Sequence, residues 1–309
     1  MSAPIELKQP SGSPANLVLT YHYVRPENSD GVTGLTPEQF RDQLMRVQQH
    51  YTFVTLEEFL ACEAEGETGF GLITFDDAVK DQWKYAQPVL ASLQLPAVFF
   101  APMRPFSHEP DLWVTQHLLH ALAEELGWRE LEHRVESIIG HIEMSQDQIN
   151  QMNSLYHYEV PEKRMLKWLI AFGINAKLAG STLREINERV GLRARDWFMS
   201  EEELVALQDM GHAIGGHGFD HVPYTTLTPM QQASDMHRAQ RLMANILGAM
   251  PRALAYPFGR FDEHTRRIAS QCGYTRCFST TERIDACALD DLLDTIEAAH
   301  TQKLTGAAA

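Results

Sequence analysis

The stretch Gly71-Leu-Ile-Thr-Phe-Asp-Asp77 governs the reading of this chain. An uncharged, β-prone run ends abruptly on two carboxylates. Short apolar runs rich in β-branched and aromatic residues read as buried strands. Adjacent carboxylates at the end of such a strand repel each other unless a cation or hydrogen-bond donors compensate. Side chains alternate along a strand, so both carboxylates reach one pocket only if the backbone turns there. A metal cation would neutralise one and leave the other free as a base.

The same grammar extends to either side. Upstream, Leu17-Val-Leu-Thr-Tyr-His-Tyr-Val24 reads as a strand. Thr36-Pro-Glu-Gln39 starts a helix whose apolar face is Phe40, Leu44 and Val47. Tyr51 to Val54 is a second strand, and Thr55-Leu-Glu-Glu58 opens a capped helix ending near Gly66. Downstream, a helix spans Asp81 to Leu93, with Pro88 expected to bend it, and Pro96 to Ala101 is a strand. Strands alternating with helices predict a parallel sheet or barrel.

From Pro105 the rhythm breaks. Leu118 to Leu126, Leu131 to Ile142, Lys163 to Phe172 and Thr182 to Val190 carry amphipathic helical patterns, with no convincing strand between them. This is too long for a loop and reads as a helical insertion. Alternation resumes with a helix from Ser200-Glu-Glu-Glu203 to Met210 and a short strand, Ala213-Ile214. That strand leads into Gly215-Gly-His-Gly-Phe-Asp-His221. A helix follows from Thr228 to Leu247, then a strand, Ala253 to Tyr256, ending at Pro257-Phe-Gly259. A helix over Asp262 to Cys272 and a strand over Thr275 to Ser279 complete the pattern. The expected organisation is a flexible segment over 1–16, one α/β unit from 17–104 and 198–285, an insertion over 105–197, and a C-terminal helix and tail over 286–309.

Composition narrows the function. A net charge of −15 on 309 residues disfavours nucleic acid and anionic lipid as partners. Cys62, Cys272, Cys277 and Cys287 form no C-x-x-C pair and read as free thiols of a reducing compartment. Met1 to Pro14 lacks the pattern of a signal peptide. The first apolar run is far shorter than the roughly 20 residues that span a bilayer. A cytoplasmic protein without membrane insertion is expected.

His217-Gly-Phe-Asp-His221 places two imidazoles at i and i+4, on one face if the turn is helical. Alone that spacing is weak. Joined to one Asp of the Asp76–Asp77 pair, it makes a two-histidine, one-carboxylate set with open positions for water and substrate. Such a set holds one divalent metal: zinc, or equally cobalt, nickel or iron(II). Tyr256-Pro-Phe-Gly259 is a rigid turn with aromatic rings at a strand's C-terminal end, suited to wall a sugar or to pack a ligand. His108, His117 and His120 read as surface or core histidines of the insertion. Trp83, Trp113 and Trp197 read as packing, with Trp113 the one placed to cover a cleft.

Thr74-Phe-Asp-Asp77, His217-x-x-x-His221 and Tyr256-Pro-Phe-Gly259, in this order and at strand ends, resemble the polysaccharide deacetylase family, the NodB-homology group or carbohydrate esterase family 4. Leu19-Thr-Tyr-His-Tyr23 is similar to that family's first strand. The resemblance covers 17–104 and 198–285. It implies a distorted (β/α) barrel with Asp76 as base and Asp77, His217 and His221 as metal ligands. It also implies a substrate groove lined by Tyr256, Pro257, Phe258 and Gly259, with Tyr256 or a nearby backbone N–H holding the oxyanion. His22 and Trp113 join the expected substrate contacts. Two motifs depart from the family pattern. Ala255 stands where many members carry an arginine that orients the base, and the C-terminal Leu-x-His is missing, leaving His22 and His300 as candidate acids. The expected reaction is removal of an N-acetyl or N-formyl group from a small amino sugar. A nucleotide- or lipid-linked sugar of surface-glycan (O-antigen or capsule) assembly is expected, with the insertion as a lid or an oligomer interface. Hydrolysis of cyclic amides, as in allantoinase-like relatives, and a non-catalytic sugar-binding role are the alternatives.

Overall fold

The computed structural model describes residues 15–29, 31–109, 112–156, 159–286 and 288–294. Most of the flexible segment expected over 1–16, His300 and the end of the C-terminal tail lie outside them.

The first half of the chain builds β1 (Leu17–Tyr21), α1 (Pro37–Val47), β2 (Thr52–Phe53), α2 (Leu56–Glu65), β3 (Phe70–Asp76), α3 (Gln87–Leu93) and β4 (Val98–Ala101). Helices α1 and α2 start at the Thr36 and Thr55 capping boxes, each closed by the side chain three residues on. Before α3 the chain makes a π-helical turn, Gln82–Ala86. Pro88 has no N–H to offer the preceding turn, and it sits in the first turn of α3, directly after that wider turn.

Between β4 and the next strand lie α4 (Thr115–Leu126), α5 (Trp128–Ile139), α6 (Gln146–Leu155), α7 (Pro161–Trp168), α8 (Ala176–Val190) and α9 (Ala194–Trp197). Helix α6 buries no side chain and so carries no apolar stripe in the sequence, and α9 is a single turn; neither is among the helices expected from sequence. The other helices close around their own core, in which Leu118, Leu122, Leu131, Val135, Leu166 and Leu183 are buried. The chain then forms α10 (Glu201–Asp209), β5 (Ala213–Gly216), α11 (Pro229–Leu247), β6 (Ala253–Ala255), α12 (Glu263–Gln271), β7 (Arg276–Phe278) and β8 (Ile284–Asp285).

The eight strands form one sheet in the order β7-β6-β5-β4-β3-β1-β8, with β2 against the start of β3, and every ladder is parallel. The sheet curls into a distorted, incomplete barrel. Among the described residues no ladder joins β7 to β8, and the turn over 279–283 spans that seam. Strand parity assigns each side chain to a layer. Leu19, Tyr21, Ile73, Phe75 and Phe99 face outward into a core under α1, α3, α10 and α11. Val18, Leu72, Val98, Phe100, Ala253 and Phe278 face inward. Thr74 and Asp76 share the parity of Leu72, so the first carboxylate points into the barrel at its C-terminal mouth, where barrel active sites lie.

Among the described residues no helix is long and apolar enough to cross a membrane.

Candidate functional site

At the end of β3 the chain leaves the strand through two left-handed residues, Asp77 (φ 83°) and Ala78 (φ 51°). This is the backbone turn that lets neighbouring carboxylates share one pocket. The Asp77 N–H still donates to the Phe100 carbonyl at 2.9 Å, so the turn stays anchored to β4. Gln82 ties the site to the barrel rim, donating to the backbone carbonyls of His22 at 2.8 Å and Asp76 at 2.5 Å.

Asp76 is buried and gripped by Arg283 of the turn after β7. The guanidinium donates to Oδ1 at 2.6 Å and Oδ2 at 2.7 Å, a two-pronged pairing. Burial on its own would raise the Asp76 carboxyl, but the Arg283 guanidinium outweighs it and holds the group below the usual range. Arg283 is itself buried. It reaches Asp76 from a position 28 residues beyond Ala255 (283 − 255). Nothing local in the sequence announces that Arg283 folds back into the barrel.

Asp77 faces the histidines. Its Oδ1 lies 3.5 Å from His217 Nε2 and 3.2 Å from His221 Nε2, and those two nitrogens are 3.1 Å apart. Burial would raise the Asp77 carboxyl; His117 and His221 pull it well below the usual range instead. His217 donates from Nδ1 to the Ala255 carbonyl at 2.7 Å, which leaves Nε2 as a lone pair directed at Asp77 and His221. Burial, with His221 adding to it, pushes the His217 imidazole down to about 4, so it stays neutral and able to ligate.

The expected helical turn across this pair is absent. His217 follows β5 directly, and the ligands are brought together by a loop with Gly218 at φ 74° and His221 at φ 51°. A Cβ on Gly218 would sit 2.9 Å from an Asp235 oxygen and 3.5 Å from Pro257. Asp235 of α11 pins the loop by accepting from the Phe219 and Asp220 N–H groups, each at 2.9 Å, and from the Tyr224 hydroxyl at 3.0 Å. The sequence held no sign of this brace, since a lone Asp within an amphipathic helix reads as solvated.

The three side chains fit a cation. Asp77, His217 and His221 each offer one ligand atom, all within 4.8 Å of one another and all buried. Among the described residues the Asp77 Oδ1 has no formed hydrogen bond, a costly state for a buried oxygen unless something positive meets it.

The remaining expected residues divide. His22, just past β1, stands at the mouth with its side chain 41% exposed. Its Nε2 is 3.9 Å from Asp76 Oδ2 and its Nδ1 is 3.9 Å from Asp285 Oδ2. Phe258 lies beside the ligands, its ring 5.0 Å from that of His221 and 5.7 Å from that of Phe172. Pro257 is buried against the Gly218 turn, and Gly259 closes the Tyr256 turn by donating to the Tyr256 carbonyl at 2.8 Å.

Tyr256 does not line a groove. Its ring is buried, stacked on Phe261 at 4.7 Å, and its N–H is spent on the Phe278 carbonyl at 2.9 Å, so neither can take an oxyanion. Parity explains this: Tyr256 follows Ala255 and so turns outward with Leu254 toward α11 and α12. Trp113 likewise covers no cleft; it packs inside the insertion core against Trp197 and Phe198. His117, read from sequence as a core histidine, is buried but reaches the site: its Nε2 lies 3.3 Å from Asp77 Oδ1. No spacing signal links it to residues 40 positions away (117 − 77).

Residues 167–277 match the family model described as polysaccharide deacetylase. That stretch holds His217, His221 and the Tyr256 turn, whereas Asp76 and Asp77 lie before it. Among curated proteins, YxkH of Bacillus subtilis (strain 168), named among the polysaccharide deacetylases, is 33% identical over 76 residues, which are 25% of this chain and 27% of that protein. Chitin deacetylase 1 of Cryptococcus neoformans is 31% identical over 78 residues, 25% of this chain and 17% of its own. The matched segments thus span well under half of either relative. Among solved structures, IcaB from Ammonifex degensii superposes with a TM-score of 0.55 at 18% identity, covering 91% of this chain and 96% of that one. The Streptococcus pyogenes deacetylase PplD, in complex with acetate, gives 0.50 at 15% identity over 84% and 80%. At these identities the structural likeness bears on the fold.

Proposed function

We propose that this chain, which belongs to the polysaccharide deacetylase family, is a metal-dependent hydrolase that removes an N-acyl group, acetyl or formyl, from a small amino sugar. The observation that carries this reading is the division of labour at the barrel mouth. Asp77, His217 and His221 converge on one point, while Asp76 beside them is held apart by Arg283.

The Asp77, His217 and His221 donor set would hold the cation, and it suits zinc, cobalt, nickel or iron(II) alike. A cation held there supplies a Lewis acid to polarise the acyl carbonyl and to acidify water. Asp76, ionised through its pairing with Arg283, accepts the proton of the attacking water. The water oxygen bonds to the acyl carbon, the carbon–nitrogen bond breaks, and the amine leaves with a proton. His22, facing Asp76 on one side and Asp285 on the other, is placed to deliver that proton.

A small substrate is favoured over the interior of a polymer because the ligands are covered. All four of Asp76, Asp77, His217 and His221 are buried, and the insertion reaches over them, whereas His22 remains open. A sugar carried on a nucleotide or a lipid for surface-glycan assembly presents such a compact end. The test is acid release, followed by proton NMR, from metal-loaded protein and a panel of nucleotide-linked N-acetyl and N-formyl sugars. Acetate or formate that disappears in Asp76→Asn supports the reading and names the acyl group. Silence across the panel with metal bound overturns it in favour of polymeric sugars or cyclic amides.

A further inference from the structure

We infer that the helical insertion completes the metal centre: His117 of α4 is a positioning residue that donates from Nε2 to Asp77, so that cation binding and seating of the insertion are coupled. The inference rests on the proposed cation site at Asp77, His217 and His221.

The argument begins at the far side of the imidazole. The indole N–H of Trp197, which can only donate, lies 3.2 Å from His117 Nδ1. The Tyr23 hydroxyl lies 3.3 Å from the same nitrogen. Nδ1 is therefore an acceptor, and the ring proton of neutral His117 resides on Nε2. That nitrogen is 3.3 Å from Asp77 Oδ1, a contact too bent to be a formed hydrogen bond, and has no hydrogen-bond partner among the described residues, although the side chain is only 2% exposed. A buried N–H with a single anionic neighbour has one thing to do. Aligned on Oδ1 as a cation seats, it would hold a lone pair on the insertion side and leave the other for the side on which His217 and His221 lie. With its proton on Nε2, His117 has no lone pair to give a cation, which separates it from those two ligands.

The insertion also grips the turn that carries Asp77. The Met199 N–H donates to the Ala78 carbonyl at 3.0 Å, and Val79 and Phe198 form an isolated antiparallel bridge. Phe198 in turn packs edge-on to His117 with ring centres 5.1 Å apart. Both ends of the insertion, α4 and the exit from α9, thus converge on residues 77–79. Groups that hydrogen-bond a metal's ligands fix ligand orientation, and their loss costs about 10- to 100-fold in affinity.

The test is cation affinity, measured by competition with a chromophoric chelator using Zn2+ and Co2+, together with the visible spectrum of the Co2+ form. His117→Ala is expected to weaken binding by about 10- to 100-fold with an unchanged Co2+ band shape, and His117→Gln, which keeps an N–H donor, to recover part of it. Trp197→Phe, which frees the tautomer without emptying the site, is expected to weaken binding in the same direction. In wild type, Zn2+ should slow amide hydrogen exchange across α4, and this slowing should vanish in His117→Ala. Unchanged affinity in both His117→Ala and Trp197→Phe overturns the inference. A shift of the Co2+ band in His117→Ala overturns it too, by making His117 a ligand. If wild type binds no cation, the underlying site reading fails; if wild type binds and the variants match it, only the role of His117 fails.

Discussion

Replacing Arg283 by Met isolates the electrostatic support of Asp76. The two side chains are 2% and 4% exposed, and two short charge-assisted bonds join them. Hydrogen bonds to charged groups contribute about 1.5–3 kcal/mol each. Removing one partner of a buried ion pair typically costs about 3–5 kcal/mol, because the stranded charge keeps its desolvation penalty. Both routes place Arg283→Met near 3–5 kcal/mol at neutral pH. Wild-type Asp76 titrates below its unfolded value of about 3.9, so the pair stabilises fully above that pH and is lost as pH falls through the native value. In the variant, burial without the guanidinium raises the carboxyl, so the penalty is greatest near neutrality and shrinks toward pH 4 as Asp76 takes up a proton. Urea unfolding of chelator-treated protein, followed by tryptophan fluorescence at pH 7 and pH 4, measures both effects. The double variant Asp76→Asn/Arg283→Met should recover at least about 2 kcal/mol of the single variant's loss, since no charge remains stranded. A loss under about 1 kcal/mol at pH 7, or a loss that grows on acidification, would refute the reasoning.

Three further outcomes follow from the geometry. Asp235→Ala removes three bonds that brace the His217–His221 loop and should cost about 2–4 kcal/mol in urea unfolding while weakening cation affinity in chelator competition. Gly259→Ala forces a Cβ into the Thr280 side chain at φ 63° and should lower stability by at least about 1–3 kcal/mol, read as a fall in melting temperature. Leu183→Ala, in the core of the insertion, should cost about 2–5 kcal/mol, and hydrogen exchange should locate the loosening in α4, α5 and α8 before the barrel strands.

The barrel was legible because its signals are local. Leu17–Tyr21, Phe70–Asp76 and Val98–Ala101 are apolar runs buried along their length, and Thr36, Thr55, Ser200 and Thr228 open their helices with capping boxes. The convergence of Asp76, Asp77, His217 and His221 was also legible, since the first three sit at strand ends, His221 follows in the loop after His217, and strand ends of a parallel barrel share one mouth. What was not legible is whatever the fold brings in from a distance. Arg283 pairs with Asp76 from the turn after β7, Asp235 braces a loop from a neighbouring helix, and His117 descends from the insertion, and in each case the meaning lies in the contact. Tyr256 misled for a related reason. The motif fixes its place in the chain, but strand parity after Ala255 turns its ring outward into the helix layer.

The account assigns adjacent carboxylates to different tasks, and metal content measured alongside turnover separates them. Wild type, Asp76→Asn and Asp77→Asn would each be loaded with Zn2+, desalted, analysed for bound metal, and assayed for acid release on whichever substrate the panel yields. The account predicts one equivalent of metal in wild type, retained metal without turnover in Asp76→Asn, and loss of metal together with turnover in Asp77→Asn. Stoichiometric metal in Asp77→Asn, or undiminished acid release from Asp76→Asn, would contradict it.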